Sequence, residues 1–435
     1  MGANGLEAAA LLRKVVGLGF LVQGFRCFPW LGVSYFLMDG LGVAASSLQI
    51  LQNSANLPMV AKPLIGILSD AIDINGQHRL PYVAIGALLQ ALSWIAIATL
   101  PAAYLSISVL TLFLLLGNLG ASIAEVANDA IVAEAGKQSH TPSESGQLQS
   151  FAHMFGSIGG GLGNLLGGLA LSHVPPKTMI LFFVVLLVIQ YSLTISVSES
   201  SLNLPKKITH HSKSTSIWKQ ISELGVALHK PEIHHCIMWF STSYAVVPLL
   251  NGTMFFYQTQ YLNLPSSVIG FSRVFGQVAS LTWSIAYNKK FKKFPAKKIL
   301  FVLQSTIAMF MVSDVFFVKG TYRAMGIPDS VYVVIFSGLS EALLFFKILP
   351  SSVLMAAMCP AGCEASVMAF LMSAMALANI ISGYFGVALA ASVGVSADNF
   401  SYFPVAILIQ AFCTLLPLCL ISWIPDVSRP AKKED

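Results

Sequence analysis

YLSISVLTLFLLLGNLGASIAEVANDAIVAEA, residues 104–135, decides how the chain is read. Its first half is apolar enough to span a bilayer, and its second half carries Glu125, Asn128, Asp129 and Glu134. Helical spacing of three and four places Glu125, Asn128 and Asp129 on one face. A carboxylate near mid-membrane costs roughly 2.5–3.5 kcal/mol on insertion scales, so such groups face a bundle interior or a wet cavity. Glu134 is also readable as a membrane-edge residue. The stretch predicts an all-α membrane bundle with a polar interior.

Composition agrees. Of 435 residues 55% are hydrophobic and only 10% charged, with mean hydropathy +0.73. A soluble domain carries about 25% charged residues. The six cysteines are scattered in or beside apolar runs, where Cys acts as a small hydrophobe. Cys359-Pro-Ala-Gly-Cys363 has no matching second pair, and His210-His211 and His234-His235 read as solvated helix margins, so no metal and no cofactor is expected. No basic patch interleaved with aromatics suggests nucleic acid. Residues 1–14 do not read as an Arg- and Ser-rich transit peptide, and no other address is legible there.

Apolar runs able to cross about 30 Å of hydrocarbon fall near 15–38, 47–71, 81–100, 104–133, 147–172 and 177–197. Six more fall near 234–257, 266–288, 297–319, 331–357, 364–392 and 402–424, with Pro350 interrupting the tenth. The expected domains are an N-terminal six-helix bundle over 1–198, a polar linker over 199–230 and a C-terminal six-helix bundle over 231–435. Basic residues sort by side: 18 fall on the side of the termini and linker, 3 on the other, and Arg26, Lys62, Arg273 and Lys347 inside spans. The positive-inside rule then puts both termini on the cytosolic side. The lysines around Phe291 and Phe294 fix topology.

Twelve spans in two halves around a charged loop suggest the major-facilitator architecture, two repeated bundles that rock about a midplane site. Gly66-Ile-Leu-Ser69-Asp70, with Arg79 across a short loop, resembles that superfamily's signature between spans two and three. There the Gly permits close helix approach, and the Asp and Arg pair at the cytosolic gate. Gly156, Gly159, Gly160, Gly163, Gly167 and Gly168 in span five form a small-residue seam for helix packing.

More specifically, the chain resembles the folate-biopterin transporter family. Its anchors are Gly24-Phe-Arg26 with Trp30-Leu-Gly-Val-Ser-Tyr-Phe-Leu-Met-Asp39, and Lys62-Pro63-Leu-Ile-Gly66-Ile-Leu-Ser69-Asp70. Further anchors are Asn128-Asp129-Ala-Ile-Val-Ala-Glu134 and the run from Phe256-Tyr257 to Gly270. Met38, where a charged residue is expected before Asp39, is a departure. The resemblance implies transport of folates or pterins, coupled to protons, by a secondary carrier; a carrier for another small organic anion is the alternative.

Folate carries two carboxylates, and an anion-binding cavity needs buried cations. Arg grips a carboxylate through two N–H groups, whereas Lys acts as a point charge. The candidate substrate residues are therefore Arg26, Lys62, Asn128, Tyr257, Arg273 and Lys347. In the fold that the resemblance implies, spans one, four, seven and ten line the cavity, and Arg26, Glu125, Tyr257 and Lys347 lie on those four. Structural pairing of these charges, for example Arg26 with Asp129, is the competing reading. A buried carboxylate without a counter-ion can hold a proton, and a nearby cation opposes this. Glu125 and Glu341 are the candidates for that role, with Asp129 as partner to a cation; Gly66, Asp70 and Arg79 are the gate residues. Trp30, Phe36, Phe155 and Tyr257 are aromatics that could stack a pterin.

No His-Glu-x-x-His, Gly-x-Ser-x-Gly or Walker A loop is present, which argues against an enzyme or an ATP-driven pump. The linker is too small and polar to form a sensor domain. The expected partners are a small anionic substrate, protons and the lipid bilayer, with a monomer as the default. The plastid envelope, plasma membrane and vacuole all remain open as the location.

Overall fold

The computed structural model describes residues 3–101, 104–138, 142–202, 222, 224–226, 228–358, 364–396 and 399–425. The described residues are overwhelmingly helical. Prolines set most of the helix breaks. The first span is α1 (Ala3–Phe25) and α2 (Cys27–Tyr35), joined at Arg26. Pro29 has no N–H and its ring crowds the carbonyl four residues back, that of Phe25, so the ladder breaks there. Span two is α3 (Ala45–Ala55), a 3-10 turn Leu57–Ala61 and α4 (Lys62–Ala71). Spans three to six are α5 (Leu80–Thr99), α6 (Ile107–Gln138), α7 (Pro142–Ala170) and α8 (Pro176–Ser196).

The second half repeats this order. Span seven is α9 (Pro231–Ala245) and α10 (Asn251–Phe256), span eight α11 (Ser266–Lys289), and span nine α12 (Ala296–Val318). Span ten is α13 (Asp329–Tyr332), α14 (Gly338–Phe346) and α15 (Ile348–Met358), linked by a π turn Val333–Ser337. Span eleven is α16 (Glu364–Val393), and span twelve α17 (Phe403–Leu415) with the 3-10 stretch Leu416–Trp423. Among the described residues eight helices are long and apolar enough to cross a membrane. The others are interrupted, as in spans two and seven, or rich in Gly, Ser, Asn and Gln, as in spans five and eight.

The helix of span one starts at Ala3 and not near residue 15, and that of span four runs to Gln138. The chain divides into two compact units, Met1–Ile221 with Pro265–Val274, and Ser222–Leu264 with Phe275–Asp435. The expected boundaries, by contrast, keep all of 265–274 in the second half. In the first unit the core gathers Val15, Val16, Leu80, Val83, Ala127 and Ile131. In the second it gathers Ile233, Trp239, Phe240, Met355, Val367 and Leu371.

The glycine seam of span five packs backbone against backbone. A Cβ at Gly24 would lie 2.0 Å from the Gly156 carbonyl oxygen, and one at Gly159 2.3 Å from that of Leu21. Gly66 is different, because a Cβ there would meet only Val126 at 3.7 Å, an ordinary contact. The close approach expected at Gly66 is therefore absent.

Spans one and seven end alike. Each closes on a π turn, Phe36–Gly40 and Tyr257–Tyr261. The Leu41 N–H donates to Phe36 O at 3.1 Å and the Leu262 N–H to Tyr257 O at 2.9 Å. Next, Val43 N–H donates to Leu37 O (2.9 Å) and Leu264 N–H to Gln258 O (3.0 Å). Gly42 at φ 61° and Asn263 at φ 51° reverse the chain at equivalent places.

Candidate functional site

Three spans of the first unit deliver one charge each to a single cluster. Arg26 sits at the Pro29 break of span one, and Lys62 opens α4, directly before Pro63. Glu125 is on α6. Arg26 Nη1 donates to Glu125 Oε1, and Lys62 Nζ donates to Glu125 Oε2 at 2.6 Å. Arg26 Nη2 donates to Asn118 Oδ1 at 2.7 Å, and Asn118 Nδ2 donates to the Ala55 carbonyl at 2.6 Å. Only 9% of the Glu125 side chain is exposed, against 15% for Arg26 and 25% for Lys62, so the acid is the most enclosed member. The partner that the pairing reading named for Arg26 was Asp129; the structure gives Glu125 instead. Asp129, one turn on, is exposed.

Desolvating a carboxylate is costly, and two cations at hydrogen-bond distance are what makes Glu125 tolerable at this depth. Removing either partner of a buried pair typically costs about 3–5 kcal/mol. The cluster is an anion site already filled by the protein's own carboxylate.

Asn128 lies one turn from Glu125 and is buried, with its Oδ1 unpartnered. A Cβ on Gly19 would stand 2.7 Å from Asn128 Nδ2, so the glycine makes room for that amide. Arg273, on the part of α11 that belongs to the first unit, is half-buried, and its charge acts on Cys27 and Tyr35.

Lys347 is in the second unit and is only 1% exposed. Its Nζ donates to Ser243 O at 3.1 Å, Ser243 Oγ at 3.2 Å and Gln304 Oε1 at 2.9 Å, and lies 3.9 Å from the Tyr244 ring centre. Its partners are neutral. The interruption that Pro350 causes in span ten falls at Lys347, between α14 and α15. Glu341 is exposed, and so is not the enclosed carboxylate expected of it. Tyr257 is buried, its hydroxyl donates to Val318 O at 3.1 Å, and its ring stacks on Tyr261. Phe317, Phe400 and Phe403 surround it. In this conformation it is a packing residue. Trp30 is likewise packed edge-on against Trp94, and Phe155 against Phe151.

At the expected gate, Arg79 Nε and Nη2 donate to Glu134 Oε1 at 2.9 and 2.6 Å, and Nη1 donates to Ser69 Oγ at 2.7 Å. Glu134 is thus an ion-pair partner and not merely an edge residue. The Asp70 side chain, and Cys359 and Cys363, lie outside the described residues. Asn75 and Gly76, both at positive φ, form the tight turn that leads the chain back to Arg79. The Glu199 carboxylate accepts the N–H groups of His78, Arg79 and Leu80, capping α5. A carboxylate there also complements the helix dipole.

Sequence reasoning missed Asn118, Glu199 and Asp314. Asp314 lies within α12, with its Oδ1 buried and unpartnered and Tyr332 beside it. An acid inside a 23-residue apolar helix was itself the legible signal.

The BT1 family model matches residues 23–435. "Probable folate-biopterin transporter 7" of Arabidopsis thaliana is 53% identical over 422 residues, covering 97% of this chain and 95% of its own. "Probable folate-biopterin transporter 9, chloroplastic" of the same plant is 42% identical, covering 96% and 78%. Among solved structures, a D-xylose-proton symporter aligns with TM-score 0.69 at 15% identity over 96% of this chain and 98% of that one. The nucleoside transporter NupG does so with TM-score 0.69 at 14% identity, over 96% and 98%. Those identities carry the fold alone. The fold is that of the major-facilitator transporters, and the chain is a multi-pass membrane transporter belonging to the BT1 family.

Proposed function

We propose that the chain is a secondary active carrier of folates and pterins that works by alternating access and couples transport to protons. The observation that carries this reading is the Arg26–Glu125–Lys62 cluster. A substrate carboxylate and the Glu125 carboxylate compete for the same two cations. Protonating Glu125 releases Arg26 and Lys62 at the moment an incoming anion replaces its charge. Protonating Glu125 alone would leave two uncompensated cations in a poorly solvated site, and an anion binding alone would have to share both cations with the Glu125 carboxylate. Competition of this kind couples proton to anion without any further device. Lys347 is a second cation able to take a carboxylate, once it exchanges one of its neutral acceptors. Arg79 with Glu134 serves as a latch on the side of the termini, which the excess of Lys and Arg assigns to the cytosol. The plastid envelope is the membrane favoured by the names of two relatives that are called chloroplastic.

The test is equilibrium binding of folate, 5-formyltetrahydrofolate and biopterin to the purified protein in detergent, with Arg26→Ala and Lys62→Ala alongside. Saturable binding that either substitution weakens supports the reading. Binding to none of the three would move the substrate to another small organic anion.

A further inference from the structure

Beside the charged cluster the first unit holds a small, partly open cavity of about 10 Å³, whose lining includes Arg26, Glu125 and four carboxamides, Gln23, Gln90, Asn128 and Gln190. These amides come from α1, α5, α6 and α8. Gln90, Asn128 and Gln190 are 3%, 2% and 3% exposed. The side-chain oxygens of all four have no hydrogen-bond partner. For Gln90 the orientation is fixed by its Nε2, which donates to Gly86 O at 3.3 Å.

Unpartnered acceptors around one space favour an occupant that donates, and one water supplies two O–H groups, one for a carboxamide oxygen and one for Glu125. The volume is about that of a single water-sized sphere, which is the threshold for holding one water. A metal cation would satisfy the oxygens, but the Arg26 guanidinium itself lines the cavity and would repel a second cation at contact range. Electrostatics therefore favour a neutral donor. We infer that this cavity binds one water molecule between the carboxamides and Glu125, and that this water is the immediate proton donor to Glu125.

The inference rests on the proton-coupled reading above. Each oxygen of Glu125 accepts from a cation, and the cavity offers the carboxylate a protic neighbour that is not one of its own counter-ions. The step balances simply. The water gives one proton to a Glu125 oxygen and recovers one from hydronium of the aqueous phase. Gln23, the only half-buried member of the four carboxamides, marks the side from which it is recharged. Gln90 and Gln190 act here as positioning residues.

The experiment compares wild type with Gln90→Met/Gln190→Met, which removes two acceptors at nearly constant volume, and with Gln90→Glu, which keeps an acceptor oxygen. X-ray radiolytic footprinting detects bound water as fast labelling of cavity side chains. Reconstituted vesicles then report pH-driven uptake and counterflow exchange of 5-formyltetrahydrofolate separately. The expected result is fast labelling in wild type, lost in the double variant, with pH-driven uptake falling at least ten-fold and exchange held within two-fold. Gln90→Glu retains labelling and pH-driven uptake. Slow labelling of the wild-type cavity overturns the water site, and equal loss of uptake and exchange overturns its role as donor. A shift of thermal midpoint in NaCl but not in choline chloride identifies a sodium ion and overturns the neutral occupant. Because footprinting needs no substrate, failure of folate transport is distinguishable from failure of the water site.

Discussion

Lys347 stands to its helix as Arg26 stands to its own: each lies three residues before a proline, at the break which that proline imposes on its span. The two breaks differ in what answers the charge. Arg26 meets a carboxylate, whereas Lys347 meets a carbonyl, a hydroxyl, an amide and a ring.

A buried ammonium with neutral partners can accept an anion without first breaking an ion pair. Lys347→Met keeps the length of the side chain and removes the charge. A charge-assisted hydrogen bond contributes about 1.5–3 kcal/mol, so folate affinity should fall roughly ten- to hundred-fold. Titration of ligand fluorescence checks this, and unchanged affinity would assign Lys347 to structure alone.

Glu125→Gln leaves Arg26 and Lys62 facing each other without a counter-charge. The expected loss of stability is about 3–5 kcal/mol, read as a lower thermal midpoint in detergent. Added folate should raise that midpoint more in the variant than in wild type, because the ligand now supplies the missing carboxylate. Biopterin, which has no carboxylate, should not.

Backbone contact makes some glycines irreplaceable and leaves others free. Gly24→Ala should prevent correct packing of α1 on α7, with loss of monodisperse protein in size-exclusion chromatography. Gly161→Ala meets nothing within 4 Å and should be neutral or stabilising by about 0.5–1 kcal/mol. Gly66→Ala, in the superfamily signature, should behave like the second.

The latch separates charge from geometry. Arg79→Lys keeps the charge but cannot reproduce a fork that reaches Glu134 and Ser69 together. It should lower transport without large loss of stability. Glu199→Ala removes the cap from α5 and should cost about 0.5–2 kcal/mol in thermal unfolding, as caps generally do.

The long apolar runs carry most of the fold openly, because hydropathy and period are written residue by residue. The site is only half legible. Arg26, Lys62 and Glu125 stand out as charges within apolar runs, but which acid answers which cation depends on the rotation of each span about its axis, and spacing along one helix does not fix that. Gln90 and Gln190 look like tolerated polar residues in apolar helices until folding brings their amides together. Tyr257 reads as a ligand-stacking aromatic, yet its hydroxyl and ring are both engaged within the second unit. Glu341 is exposed where an enclosed carboxylate was expected, since depth along a helix does not say which way a side chain faces.

The paired π turns at the ends of spans one and seven have a consequence for ancestry. A π turn arises when one residue is inserted into an α-helix without disturbing the helix on either side. Phe36–Gly40 and Tyr257–Tyr261 occupy matching places, and each is followed two residues on by a left-handed residue, Gly42 in one and Asn263 in the other. Two independent insertions would have to strike the same position twice. One insertion, made in a six-span ancestor and copied when that ancestor doubled, would account for both.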